Sequence, residues 1–414
     1  ASRPGLSSSG HATVAPGAAD GEVSMDAQHV VVIGAGIVGA SIGWRLASRG
    51  ARVTIVDQGE PGSGASSHSF AWINAGAKEP VGYHNLNRRS LEMWSRLADA
   101  LGQDMGLRWG GKVSWEADAD AAQALLSRVQ QLQAWGYPTR QVSRAELQEL
   151  EPSLSIGPLA AAEYSENEGQ VEPQMVVDAC LNRLREFEAS ILSGVEVIGL
   201  SKDSRARVDS VRTTGGDFDA DVVVVAAGAS TTAVAAMAGV NVPQAESPGV
   251  VIRTSPMPRL LHNVPVVYAP PLEDGRREIH MRQCPDGRLM IGEGDQESLA
   301  EDDSQAHADD LLARACQHLP GLAGAEAVPV PVGWRPMPLD GYPVMGFAPE
   351  APNVYVALTH SGVTLCPVLS QLAALEICEG ARADAVLGPY RPERFADVTP
   401  EAAAQMAHPR ARHR

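Results

Sequence analysis

The sequence predicts an α/β protein: a Rossmann-like dinucleotide-binding domain, discontinuous in the chain, with an α+β substrate domain built on an antiparallel sheet. Two stretches carry that prediction. The first is HVVVIGAGIVGASIGWRLASRGARVTIVD, His29 to Asp57. The second is DVVVVAAG, Asp221 to Gly228, a continuous β-branched run that ends in small residues. Such runs suit strands buried on both faces of a parallel sheet. Between them and after them, helical and strand-like patterns alternate, as a layered α/β domain requires.

The first stretch reads as strand, turn, helix, strand. Val30–Ile33 is short and β-branched, and Gly34, Gly36 and Gly39 follow as G-x-G-x-x-G. Gly34 allows a tight turn out of the strand. Gly36 lets a pyrophosphate approach the backbone, and Gly39 lets helix and strand pack closely. Ile37 and Val38 open the helix, whose free N–H groups and partial positive charge favour phosphate. Gly50 stands where a C-cap glycine belongs. A second run, Val53–Val56, ends on Asp57 and Gln58. Asp57 is an acceptor for ribose hydroxyls and argues against a 2′-phosphate. The unit implies a dinucleotide without choosing between NAD and FAD.

Composition narrows the function. The net charge of −17 argues against nucleic acid or an anionic membrane as partner. No uninterrupted apolar run approaches the roughly 20 residues that span a bilayer. Cys180, Cys284, Cys316, Cys366 and Cys378 form no C-x-x-C pair and no zinc spacing, so no metal is expected, and a reduced, cytoplasmic compartment is. The oligomeric state cannot be read from the chain.

Residues 1–28 are rich in Gly, Ala, Ser and Pro without apolar period, and read as a disordered extension. After Gln58 a loop rich in Gly, Ser and Pro runs to Pro80 and allows close approach to a planar ligand. Within it Trp72 suits either a cofactor ring's neighbour or a core anchor. His68 suits a ligand, a base or a polar loop residue. Lys78 is one of three lysines in the chain, with Lys112 and Lys202. Leu86, Ser90, Met93, Trp94, Leu97 and Leu101 mark a helix. Ser143 with Glu146 makes a capping box. Val176, Val177, Cys180, Leu181 and Leu184 mark a further helix, and Val195–Ile198 a strand. In open α/β sheets ligands lie beyond the carboxyl ends of strands, so Ala227 and Gly228 are expected to face the same ligand as Gly34. Residues 240–330 carry several strand-like runs, and a helix is expected near Ser304–His318. The strand Val354–Ala357, the loop Leu358–Thr364 and a helix to about Cys378 repeat the logic of the first unit. The expected division is therefore residues 29–85, 150–235 and 331–390 for the dinucleotide, 86–149 and 236–330 for the substrate, and 391–414 as a tail.

Four segments in this order resemble the FAD-dependent D-amino-acid oxidase superfamily, nearest its glycine oxidase and sarcosine oxidase branch. They are the His29–Asp57 unit, ADVVVVAAGAS at Ala220–Ser230, GWRPMPLDGYPVMG at Gly333–Gly346, and HSGVTLCP at His360–Pro367. The similarity covers about Gln28 to Pro389. It implies FAD, with Gly34, Gly36 and Gly39 at the pyrophosphate and Asp57 at the adenosine ribose. Ser66, Ser67, Ala71, Trp72 and Ile73 are implied to line the flavin, Val197 to lie at the adenine, and Ala227 and Gly228 near the cofactor. Ser361, Gly362, Val363 and Thr364 are implied at the flavin ring and its side chain. The implied reaction oxidises the carbon–nitrogen bond of an amino acid or amine by hydride transfer to flavin, followed by hydrolysis of the imine.

Departures from the family pattern sharpen these expectations. Gly333 stands where sarcosine oxidases carry the flavin-bonding cysteine, so FAD is expected to be non-covalent. His68 is the residue to examine if it is not. Met290 falls near the position of an oxygen-activating lysine, which leaves oxygen or another electron acceptor open. Arg335, with its planar fork, is the expected carboxylate ligand. His360 and Arg282 are second candidates. An NAD-linked dehydrogenase and a non-catalytic flavin-binding component of a larger complex are the alternatives.

Overall fold

A computed structural model describes residues 27–273, 275–294, 300–396 and 398. The expected extension lies outside the described residues except for Ala27 and Gln28, as does the tail beyond Val398.

The β-branched runs do form the central sheet. Its six strands lie in the order Val344–Ala348, Ala351–Leu358, Val222–Val225, His29–Ile33, Arg52–Val56, Ser190–Leu192. The last five are parallel and Val344–Ala348 runs antiparallel at the edge. Val30 pairs with Val53 on one side and Val222 on the other, so the glycine turn after Ile33 emerges between two neighbouring strand ends. One face is covered by the helices Ile37–Ala47, Val81–Leu101, Pro173–Arg185 and Gly362–Glu379. The other carries a three-stranded sheet, Val197–Lys202, Val208–Thr213 and Gly216–Asp219, and the helix Thr231–Met237. Gly362–Glu379 matches a bilayer in length and apolarity, but 72% of it is buried inside the protein as a core helix.

A second core lies under an eight-stranded sheet, with the helix Gln305–His318 packed on it. This sheet is antiparallel except that Val266–Ala269 runs parallel to Lys112–Glu116, where its two sequence segments meet.

Three expected boundaries need correction. The strand Ala161–Ser165, inside the segment 150–235, joins the eight-stranded sheet beside Lys112–Glu116. The helix Val81–Leu101, mostly within 86–149, buries Leu86, Trp94, Leu97 and Leu101 in the core of the dinucleotide sheet. Its 3.6-residue period announced a buried face but could not name the partner. Residues 391–395 are not a loose tail: Phe395 is 1% exposed, and Arg391 donates to Glu376 at 2.9 Å.

Candidate cofactor and active site

The carboxyl ends of the parallel strands open onto a cavity of about 520 Å³. Each glycine of the triplet has a distinct geometry there. Gly34 has φ +107°, and a Cβ on it would lie 2.4 Å from the Ala226 carbonyl oxygen. A Cβ on Gly39 would lie 1.9 Å from the Gly34 carbonyl oxygen, so this residue serves the helix–strand contact. Among the described residues, a Cβ on Gly36 would meet only Ser66 Oγ, at 3.4 Å, and Gly36 lines the cavity. Ser66 Oγ also accepts the Ile37 N–H at 3.0 Å, which holds the loop against the helix N-terminus. Asp57 lines the same cavity. Its two oxygens accept the N–H groups of Ala35 at 2.7 Å and Gly59 at 2.8 Å. A carboxylate has about four lone-pair sites, so acceptor capacity remains for a ribose.

A smaller cavity of about 120 Å³ shares walls with the first through His68, Ser69, Trp334, Pro336, His360 and Val363. Its other walls include Phe70, Ala71, Trp72, Lys78, His280, Glu293 and Arg335. Ala71 adopts φ +57°, uncommon for a residue with a side chain, and Ser69 Oγ accepts its N–H at 3.0 Å. Thr364 ties the adjoining segment to the long helix: its hydroxyl donates to the Trp72 carbonyl at 3.2 Å and accepts the Asn74 N–H at 3.3 Å. Tyr83 donates to Ser361 Oγ at 2.9 Å, at the start of that helix. On the sheet side His280 faces Gly292, where a Cβ would lie 2.3 Å from the imidazole Nε2. Burial first, and then Arg335, drop His280 to about 4, so it is neutral near pH 7.

Among the expected site residues, Gly34, Gly36, Ile37, Val38, Asp57, Gln58, Ser66, Val197, Ala227, Gly228, Gly362 and Val363 line the larger cavity. Ala71, Trp72, Ser361, Thr364 and Arg335 line the smaller, and His360 lines both. Gly39, Ser67 and Ile73 are not among the lining residues. Ser67 turns back to donate to Ser63 O at 2.8 Å. Ile73 alternates with Trp72 along a strand, so its side chain enters the helical core instead. Arg335 lies over Gly249 and donates to the Pro248 carbonyl. Arg282 is 1% exposed, lines neither cavity and donates to Glu172 at 3.4 Å. Met290 is buried against Phe70, Trp72 and Val266, behind the smaller cavity rather than in its wall. Gly333 packs on His68: a Cβ there would lie 2.6 Å from the His68 Cβ, which leaves a cysteine no room.

Phe70, His280 and Glu293 do not stand out in the sequence. Their only signal was membership of strands or loops whose facing direction the sequence leaves open.

These residues fit a flavin dinucleotide. The open face of Gly36 and the helix N-terminus suit a pyrophosphate, and the cavity continues into an aromatic-walled pocket. Thr359, on the wall of the larger cavity, has a buried hydroxyl oxygen without a partner among the described residues, as expected beside a polar ligand.

Known proteins agree with this reading. A glycine oxidase of Geobacillus kaustophilus (strain HTA426) is 30% identical over 361 residues, covering 83% of this chain and 91% of the relative. One of the opine oxidase chains of Agrobacterium tumefaciens (strain Ach5) is 26% identical over 374 residues, 86% of this chain and 94% of the relative. The crystal structure of glycine oxidase from Geobacillus kaustophilus superposes with a TM-score of 0.77 at 28% identity, covering 88% of this chain and 98% of that one. L-proline dehydrogenase from P. horikoshii shares the fold, with a TM-score of 0.77 at 23% identity over 89% of this chain and 98% of that one. Residues 29–375 match the family described as FAD dependent oxidoreductase, DAO, and the chain belongs to that family of flavoenzymes.

Proposed function

We propose that this FAD-dependent oxidoreductase oxidises the carbon–nitrogen bond of an amino acid or a secondary amine that carries a carboxylate. The observation that supports this best is the placement of Arg335 and His360 on the small cavity that opens from the dinucleotide cavity. Arg335, anchored on the Pro248 carbonyl, binds the substrate carboxylate through its planar fork. This orients the α-carbon toward the shared wall of the two cavities. Phe70 and Trp72 exclude water from one side. A desolvated pocket with a neutral His280 favours the neutral amine, whose nitrogen lone pair is needed to form the C=N bond. Bound FAD supplies the acceptor for the hydride, two electrons and one proton, that leaves the α-carbon. Water then adds to the imine carbon, and the C–N bond breaks to release an amine or ammonia and an oxo acid. Glycine oxidase and opine oxidase, by their names, fit this class of chemistry.

The test is anaerobic. The purified protein is mixed with a panel of amino acids, N-alkyl amino acids and simple amines, and the flavin absorbance is followed. Bleaching by carboxylate-bearing members and not by their decarboxylated counterparts is expected. Bleaching by neither, or equally by both, would remove the proposed substrate class.

A further inference from the structure

The aromatic wall of the smaller cavity is tied to a carboxylate that stands behind it. Glu168 is 1% exposed. One of its oxygens accepts the Trp72 indole N–H at 2.8 Å. The other accepts the Tyr137 hydroxyl at 2.7 Å, and Tyr137 in turn accepts the Ala75 N–H at 3.2 Å. Gly76 permits the close packing, since a Cβ there would lie 2.8 Å from Glu168 Oε1. Trp72 then sets its neighbours. Its ring lies 5.2 Å from that of Tyr268, which stacks on His280 at 5.1 Å, and Phe70 meets His280 edge-on at 4.6 Å.

A buried indole N–H needs only one acceptor, which a backbone carbonyl or an amide supplies. Burying a carboxylate for that purpose is costly unless the charge strengthens the bonds it receives. The donor order matches an ionised acid: Ala75 gives to Tyr137, Tyr137 to Glu168, and Trp72 to Glu168. Protonated, Glu168 would carry a proton of its own; on Oε1 it would displace the one that Tyr137 donates, while the Ala75 N–H still donates to the phenol oxygen.

We propose that Glu168 is a positioning residue of the active site: its carboxylate fixes the Trp72 indole and, through that ring, the wall against which the substrate packs. This rests on the smaller cavity being the substrate's, as argued above. Titratable and charged groups lie on the elements packed around Glu168. Tyr137 follows the helix Ala119–Ala134, and His84 of the helix Val81–Leu101 lies 5.1 Å from the Tyr137 ring. Arg128 is held on the Gly76 carbonyl, at 3.0 Å from Nε. Lys112 and Glu163 pair with each other on the sheet. Burial lifts Glu168 to about 7, against the pull of Lys112 and of the two hydrogen bonds. The clamp therefore tightens as pH rises through that value.

The experiment uses the FAD-loaded protein labelled with ¹⁵N, its Trp72 indole resonance assigned with Trp72→Phe. In the wild type the indole proton should move downfield as pH rises through about 7. In Glu168→Gln, which keeps the shape and one acceptor, it should stay still. Over the same range KM for a carboxylate-bearing amine should fall in the wild type relative to Glu168→Gln, with kcat moving less. Glu168→Ala should raise KM by up to about tenfold, since the substrate must then order a ring that the carboxylate no longer holds. An indole signal that does not titrate, or that titrates alike in Glu168→Gln, overturns the proposal. So does an unchanged KM in a Glu168→Ala protein that folds and holds FAD. If that variant fails to fold, the Gln comparison decides. If no amine is turned over, the functional reading fails, and the indole resonance alone decides on the clamp.

Discussion

Replacing Gly36 by alanine separates cofactor binding from folding. The residue has φ −70° and ψ 178°, which alanine adopts freely. Among the described residues the added methyl meets only Ser66 Oγ, at 3.4 Å, so the chain itself has room for it. Stability should be unchanged or raised by about 0.4–1 kcal/mol through the unfolded state. The same methyl would enter the space in which the pyrophosphate is expected to approach. Overfilling a close-packed contact costs about 1–3 kcal/mol. That converts to a roughly 5- to 160-fold weaker Kd for FAD. Gly39→Ala is the contrast: its methyl would lie 1.9 Å from the Gly34 carbonyl oxygen, main chain that cannot step aside, so the fold should suffer first. The assay strips FAD, titrates it back while following flavin fluorescence, and records Tm for each apoprotein. If Gly36→Ala binds FAD as tightly as the wild type, the pyrophosphate does not pass this residue and the reasoning fails.

Arg335→Ala should lower kcat/KM for a carboxylate-bearing substrate roughly 30-fold to several thousand-fold, from about 2–5 kcal/mol for one lost partner of a buried charge pair. Flavin content should stay near wild type, and Arg335→Lys should recover only part; loss of FAD or of the fold would instead make the Pro248 contact its main duty. Acid precipitation should release the flavin, because Gly333 packs on His68 with no room for a cysteine. Intact mass carrying a flavin would reject this and point to His68. Arg391→Ala should destabilise the fold by about 3–5 kcal/mol, since it leaves Glu376, 3% exposed, buried without its partner. Burial pushes the Glu376 carboxyl up, but the bonds from Arg391, Ala383 N–H and Tyr355 hold it below its usual 4.5. Its contribution is therefore present above that value and lost as pH falls, so the variant and the wild type should converge in denaturation curves taken in acid.

What could be read from the sequence was what the backbone dictates locally. The glycine triplet, the β-branched strands and the Ser143–Glu146 capping box each follow from spacing over a few residues, and the structure forms all three. Phase was harder. Trp72 and Ile73 both read as flavin neighbours, yet successive residues of a strand face opposite ways, and only Trp72 lines a cavity. Long-range partners were out of reach. Glu168 lies 96 positions from Trp72, and nothing in either segment announces the hydrogen bond between them. Arg335 stood out by its segment, but its anchor, the Pro248 carbonyl, lies 87 positions away. Residues 391–395 have no apolar period: Phe395 docks as one apolar side chain beside the Arg391 and Arg394 ion pairs, whose partners lie elsewhere in the chain, so no pattern was left to detect.

The central claim, that the chain draws hydride from the carbon beside an amine and a carboxylate, is tested most directly by an isotope. The best substrate from the anaerobic panel is prepared with deuterium at the α-carbon, and the rate of flavin bleaching is compared with that of the protiated compound in single-turnover mixing. The account predicts that bleaching slows clearly with deuterium, that one flavin is reduced for each oxo acid formed, and that Arg335→Ala lowers the rate at a given substrate concentration while the isotope effect persists. Equal rates for the two isotopologues at saturating substrate, with bleaching but no oxo acid, would contradict it.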